Sequence, residues 1–441
     1  MITFAQAQDN LHTLCAAWRD QQMIQPQSIS LASSPGRYLS EDVSATLDLP
    51  VADVSAMDGY AIATLPPTDL SNEEAQDVSA MNGHCYVVRG ESRAGQPYSG
   101  SPLENGECVR IFTGAVVPES ADTVVIQENV DREAETIRIV EQTAFGANIR
   151  RRGEEIALGA TIAKTGQRVT PNMIPLLASQ GIPHVSVRPR LRVAFFATGD
   201  ELKQPGDVLG EGDIYESNLA SIQAVLENYP LDLINLGVID DTPQAITDAL
   251  QRAANGADIV ISSGGVSVGD YDYVRDCVAA MGQVTDYKVA MKPGKPVCFG
   301  RLDQDSGGQA LFFGLPGNAV SSFVVLTELY LPAITYLMSG DKEGSHGYVR
   351  AILTEDLNRR PGRLEFQRGV LQSALDGKHR PVWQVRALGS QDSHRVMGLA
   401  LANCTIQIPA EVGHLPAGSD VCRSTKGALT FTLSSASHAD S

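Results

Sequence analysis

The chain has 441 residues, 43% hydrophobic and 20% charged, which is ordinary for a soluble globular protein and long enough for about three domains at ~150 residues each. Its formal charge of −18, from 34 Lys and Arg against 52 Asp and Glu, opposes non-specific contact with nucleic acid or anionic membranes, so an anionic ligand requires a local basic patch. The seven cysteines are scattered without CxxC spacing and the eight histidines form no HxxxH or HExxH, which argues against a disulfide framework, a thiolate zinc site and a zinc hydrolase.

The first residues, MITFAQAQDNLHTLC, lack a basic start and an apolar core, and no uninterrupted run approaches the ~20 apolar residues of a membrane span. A cytoplasmic protein in a reducing compartment is expected, with no nucleic-acid or membrane partner. Residues Phe4 to Gln21 carry apolar side chains at helical spacing. From Leu47 to about Ile149 the chain is rich in short β-type runs (CYVVRG, CVRIFTG, DTVVIQENV) parted by Gly, Pro and Asn turns, as in a β-rich insertion. A helix is expected from Thr170, with Pro171 in its first turn and Gly181 at its close.

From Pro189 to Ser339 strands and helices alternate: LRVAFFA, a helix from about Ser217, LDLINLGVI, a helix capped by Thr242 with Pro243 at its start, then ADIVIS. This is the βαβ rhythm of a parallel sheet covered on both faces. After Gly344 short alternating strands return, suggesting a terminal β-barrel or sandwich, and the polar tail SSASHADS is expected to fray. The expected division is 1–46 plus 150–188, a linking domain; 47–149, the inserted β-rich domain; 189–339, the α/β domain; and 346–436, the C-terminal β-barrel.

Polar residues gather where the α/β strands end, and ligands of open parallel sheets bind there because helix N-termini and connecting loops converge. LRVAFFA runs into TGDEL, LINLGVI into Asp240 and Asp241, DIVIS into SGGVSVGDYD, and the LFF strand into GLPGN. Gly264, Gly265 and Gly269 let backbone amides approach phosphate oxygens and Ser263 and Ser267 add hydroxyls, although Gly-Gly alone also suits a plain strand-to-helix turn. Glu201, Asp241 and Asp272, from three strand ends, suit a Mg²⁺ bridged to phosphates or a proton-transfer site; singly, each also suits a helix cap. Lys288, Lys292 and Lys295, around a turn stiffened by Pro293 and Pro296, supply the positive charge that the chain lacks overall. Arg150, Arg151 and Arg152 form a second basic run, read equally as ligand contacts from another domain or subunit or as interdomain salt bridges. Asp58 in AMDGYAI reads as a hairpin turn, and Thr113 and Ser393 as loop residues.

Taken together, AMDGYAI, FTGAVVPESADTVVIQE, FGANIRRRGE, FFATGDEL, IYESN, SSGGVSVGDYDYV, KVAMKPGKPVCFG, GLPGNAVSS and GSQDSH resemble the molybdopterin molybdenumtransferase family, MoeA and the E domain of gephyrin, in order from about Val51 to Asn403. The resemblance implies a four-part subunit with an α/β domain similar to molybdopterin adenylyltransferases, and a homodimer whose cleft joins the α/β domain of one chain to N-terminal domains of the other. It implies insertion of molybdenum from molybdate into adenylylated molybdopterin, a pterin nucleotide, with release of AMP and with Mg²⁺. The molybdopterin adenylyltransferase and apo-molybdoenzymes become candidate protein partners.

By the same resemblance Asp58, Glu201, Asp241 and Asp272 position the cation and water or activate cleavage. Lys288 and Lys292, with Ser393 and Arg150 to Arg152, hold molybdate and the pterin phosphate. Thr113 also contacts substrate, as Lys295 is expected to do from the charge of its own turn, while Ser263, Gly264, Gly265, Ser267 and Gly269, with Pro316, Gly317 and Asn318, seat the nucleotide. Two departures stand out: Ala319 replaces the last proline of the family's LPGNP, loosening that turn, and Asp392 puts negative charge beside Ser393. Two rival readings are adenylylation of molybdopterin, which shares the Gly-rich motif, and a scaffold that clusters partner proteins.

Overall fold

The computed structural model describes residues 1–22, 25–63, 83–265, 273–342 and 348–424. Ser267, Gly269, Asp272 and the polar tail, all singled out from the sequence, lie outside the described residues. The chain opens with α1 (Phe4–Gln21), whose Thr3 and Gln6 form a reciprocal capping box and whose buried face is Phe4, Ala7, Leu11, Cys15 and Trp18. The helix near Thr170 begins as a short 3-10 turn at Pro171–Met173, continues as Ile174–Ser179, and is followed by Gly181 at φ 68°.

The inserted segment forms a six-stranded sheet: β1 (Gly59–Ile62), β2 (Cys85–Ser92), β3 (Glu107–Ile111), β4 (Thr123–Ile126), β5 (Val130–Glu133) and β6 (Thr136–Ile139), in the order β4-β1-β3-β2-β6-β5. The alternating runs of this region place apolar residues such as Ile62, Cys108 and Val125 in one core and Ala61, Val109 and Val124 in another.

The α/β unit comprises β7 (Leu191–Thr198), α2 (Asn218–Leu226), β8 (Leu231–Ile239), α3 (Pro243–Gly256), β9 (Ile259–Ser263), α4 (Tyr273–Met281), β10 (Gly282–Lys288), β11 (Met291–Lys292), β12 (Pro296–Asp303), β13 (Gln309–Leu315) and the long helix α5 (Ala319–Ser339). The sheet order is β8-β7-β9-β13-β12-β10. The first four strands are parallel, as expected; β12 and β10 add an antiparallel edge. Along β7, Val193, Phe195 and Ala197 pack with Leu219, Ile222 and Leu226 of α2 on one face, while Ala194 and Phe196 pack with Ile246, Leu250 and Ala253 of α3 on the other. Thr242 caps α3, accepting from the Ala245 amide at 3.3 Å, ahead of Pro243. Helix α5 is apolar and long enough to cross a bilayer by composition, but it is mostly buried here, with the Tyr330 hydroxyl donating to the carbonyls of Cys298 and Gly314 at 2.9 and 2.8 Å.

The C-terminal strands β14 (Tyr348–Leu353), β15 (Leu364–Leu375), β16 (Pro381–Ala387), β17 (Cys404–Ile408) and β18 (Asp420–Ser424) run β15-β16-β14-β18-β17, and β17 pairs back onto β15, closing a five-stranded barrel. The two-residue β11 adds to β15 in parallel, Met291 opposite Leu364 and Lys292 opposite Glu365, tying the lysine turn to the barrel.

Two features position the site. Registers of Thr198 with Ile239, Ala197 with Ser263, and Ser263 with Leu315 bring the carboxyl ends of β8, β7, β9 and β13 onto one line. The chain leaves β7 toward β8 over one face and returns to β9 over the other, so the order reverses between β7 and β9, where such sheets open a crevice.

Candidate active site

A hollow of about 760 Å³ opens at that line of strand ends and is roofed by the barrel. Into it come Glu201 after β7, Asp241 after β8, and Ser263, Gly264 and Gly265 at the end of β9. Lys292 and Lys295 enter from the turn before β12, Pro316, Gly317 and Asn318 from the loop after β13, and Ser393 from the barrel loop. Gly264 and Gly265 have φ of 88° and 68°, and a Cβ would come within 2.7 Å of the Thr198 carbonyl and 2.2 Å of Val274 Cγ2, so this turn requires glycine at both positions. Asp241 accepts from the Thr198 hydroxyl at 2.9 Å, and Glu201 folds over Gly199, whose Cβ would lie 2.7 Å from Oε2.

Asn218, at the first turn of α2, binds two of these loops together: its Nδ2 donates to Ser263 Oγ and to the Gly317 carbonyl, both at 2.8 Å. With Oγ accepting from Asn218, the Ser263 proton is left to donate into the hollow, a polarity that suits an anionic oxygen. The α2 N-terminus is set by Glu216, 5% exposed, which accepts from the amides of Asn218 and Leu219 at 2.6 and 2.8 Å. Burial raises the Glu216 pKa against the pull of those amides.

Across the hollow, the Lys292 ammonium lies 2.9 Å from Glu365, whose other oxygen meets the buried Arg359 at 3.2 Å. The barrel loop that presents Gln391, Asp392 and Ser393 is wrapped around Arg368, 2% exposed. Its guanidinium donates to the carbonyls of Ser390, Asp392 and Arg395 at 3.1 to 3.3 Å and to Gln391 Oε1 at 3.2 Å. Asp392 is held below the usual carboxylate range, first by a hydrogen bond from Ser390 and then by His394, Arg395 and Lys292. The negative charge it brings is thus already engaged by its neighbours. Ala319, in place of proline, serves as the first residue of α5 behind Asn318.

Three family models match in order: the MoeA N-terminal region (domains I and II) over residues 2–181, a probable molybdopterin binding domain over 194–336, and the MoeA C-terminal region (domain IV) over 350–424. The molybdopterin molybdenumtransferase of Haemophilus influenzae is 36% identical over 398 residues, 90% of this chain and 93% of that protein. The chain belongs to the MoeA family. A Nostoc molybdopterin molybdenumtransferase is 33% identical over 89% of this chain and 87% of its own length. A crystal structure of the Pyrococcus horikoshii molybdopterin biosynthesis MoeA protein superposes with a TM-score of 0.78 at 25% identity, covering 96% of this chain and all of that one.

Not every residue singled out on MoeA resemblance lines this hollow. Lys288 ends the edge strand β10 opposite Pro296, exposed and outside the lining. Asp58 and Thr113 meet each other instead, on the inserted sheet: Asp58 Oδ1 accepts from the Thr113 amide at 2.8 Å and its hydroxyl at 2.9 Å, which lowers the Asp58 pKa. The arginine run is tied within the chain, Arg151 to Asp53 at 2.6 Å and Arg152 to Asp48 at 2.7 Å, with Arg150 opposite Val54 in a short strand pair.

Glu201 and Asp241 are two carboxylates lining one hollow, a donor set that suits Mg²⁺, which takes one or two carboxylates and completes its shell with water and phosphate. Among the described residues no group of three or more His, Cys, Asp or Glu is arranged to hold a metal on its own.

Proposed function

We propose that the chain acts in molybdenum cofactor biosynthesis as a molybdopterin molybdenumtransferase, inserting molybdenum from molybdate into adenylylated molybdopterin and releasing AMP. The observation that carries this reading is one hollow with two chemically different walls. Hydroxyl, amide and carboxylate groups at the β7, β8, β9 and β13 ends form one wall, and Lys292, Lys295 and Ser393 form the other. A pyrophosphate link spanning the hollow has its adenylyl phosphate on the first wall, where the Ser263 hydroxyl donates to its oxygens. The ammonium groups and the Ser393 hydroxyl hold the molybdate oxyanion at the pterin end. Glu201 and Asp241 would hold a Mg²⁺, which when bound neutralises charge on the phosphates. As the phosphoanhydride breaks, charge develops on the departing AMP, which the Ser263 hydroxyl and a bound cation would stabilise.

Asp58, Thr113 and the Arg150 to Arg152 run lie outside the hollow of their own chain, which supports the reading that a second subunit of a homodimer supplies them. Purified protein given adenylylated molybdopterin, Mg²⁺ and molybdate is expected to release AMP in proportion to molybdate. AMP release indifferent to molybdate, or pyrophosphate formed from ATP and molybdopterin, refutes the proposal.

The polarity of Asn218 provides a narrower check. Asn218→Asp replaces a donor by an acceptor facing the Gly317 carbonyl, and is expected to weaken AMP binding at least tenfold, about 1.4 kcal/mol. Calorimetry returning wild-type AMP affinity for that variant removes Asn218 from the account.

A further inference from the structure

At the opposite end of the same sheet lies a separate hollow of about 350 Å³, between the last turn of α1, the segment leading into β7, and the end of α5. The eight residues of β7, at ~3.3 Å each, put it roughly 25 Å from the catalytic hollow. Four arginines line it, Arg19, Arg188, Arg190 and Arg192, with Asp258 as the one acidic lining residue. In a chain of net charge −18 this is a concentration of the scarcer sign.

Asp258 is spent on Arg192, accepting from its amide at 2.8 Å and its guanidinium at 3.3 Å, and Arg190 has Asp232 at 3.9 Å. Among the described residues neither Arg19 nor Arg188 has a carboxylate within 4.0 Å; the Arg19 guanidinium has the face of Tyr336, at 5.6 Å, and lies against Gly340 at the end of α5. Arg19 Nε and Arg188 Nη1 are both shut off from solvent without a hydrogen-bond acceptor. The Arg188 backbone is held in place, its carbonyl accepting from Arg37 at 2.7 Å. Burial, and after it the charge of Arg19, pushes the Arg188 guanidinium down to about 10, so at neutral pH two like charges still share the hollow.

Uncompensated positive charge held this close to burial is relieved by one kind of ligand, an anion rich in acceptor oxygens. Guanidinium forks match tetrahedral oxyanions in particular, and the rim residues Gln22, Gln25 and Gln27 add neutral polar groups without adding negative charge. We propose that this hollow is a second anion site, distinct from the catalytic one, which binds the phosphate group of inorganic phosphate or of a small phosphate monoester.

The test is calorimetric titration of inorganic phosphate, and in a parallel arm glycerol phosphate, into the full chain and two variants. Lys292→Ala removes positive charge from the catalytic hollow and is expected to keep this phosphate binding. The pair Arg19→Gln with Arg188→Gln is expected to weaken it at least tenfold while leaving molybdate-dependent AMP release unchanged. Tighter binding of glycerol phosphate than of phosphate identifies a monoester as the preferred ligand, and the reverse identifies the free ion. Binding lost in Lys292→Ala and kept in the arginine pair, or no saturable binding to the wild type, overturns the proposal. A second measurement needs no variant: phosphate is expected to slow amide hydrogen exchange over residues 188–192, and exchange there unchanged by phosphate overturns it equally.

Discussion

Arg368→Ala is expected to be among the most damaging single substitutions outside the lining of the catalytic hollow. Arg368 is buried, and its guanidinium is the shared donor for the carbonyls of Ser390, Asp392 and Arg395, while Gln391 accepts from its backbone amide at 2.9 Å and donates back to its carbonyl at 3.1 Å. Truncation leaves three carbonyls without that donor and an arginine-sized void, a cost of about 3 kcal/mol or more. The loop then no longer holds Ser393 at the wall of the hollow. A misplacement of about 1 Å at a catalytic wall costs on the order of a hundredfold in rate, so AMP release is expected to fall by about that factor. Lysine does not substitute, because a single ammonium cannot reproduce a planar fork reaching both sides of a loop. Thermal denaturation and steady-state kinetics check this together; an Arg368→Ala protein with wild-type melting temperature and rate shows the loop to be held by other means.

Glu365→Ala is expected to act through charge. Glu365, 2% exposed, is shared by Lys292 on the catalytic side and Arg359 on the barrel side. Its removal leaves the Arg359 charge buried with only carbonyl partners, those of Val412, Arg363 and Ala410 among them, for a cost of about 3 to 5 kcal/mol. It also releases the Lys292 ammonium from a fixed position. Both a lower melting temperature and at least a tenfold loss of kcat are expected, with Glu365→Gln retaining shape and recovering part of the stability. If Glu365→Ala melts and turns over like the wild type, the Lys292–Glu365–Arg359 chain has no part in holding the site.

These two residues also mark where sequence reading stops. The α/β unit was legible because its signals are local: the Thr242-Pro243 start of α3, the alternation of β7, and the polar residues after each apolar run. The common hollow followed from those signals, since parallel strands in register must deliver their carboxyl ends to one edge. Glu365 and Arg368, however, sit in LEFQRGVL, which reads as an ordinary alternating strand. Their roles arise from pairing with Lys292 and Gln391, contacts set by how the barrel closes on the lysine turn. Asn218 was visible within IYESN, but its grip on both Ser263 and Gly317 depends on residues 45 and 99 positions away. The antiparallel edge was hidden for a similar reason, because strand direction across the β12–β13 hairpin is set by pairing and not by composition. Lys288 and Lys292 flank one turn, but Lys288 closes the edge strand β10 and is not among the residues that line the hollow.

One hollow at the strand ends is expected to hold the nucleotide on one wall and the oxyanion on the other. X-ray diffraction near the molybdenum absorption edge, from crystals soaked with AMP and molybdate, tests it most directly. An anomalous peak is expected within contact of Lys292, Lys295 and Ser393, with the AMP phosphate against Ser263 and Gly264. Molybdenum and AMP found in separate places, or molybdenum bound away from the lysine turn, contradicts it.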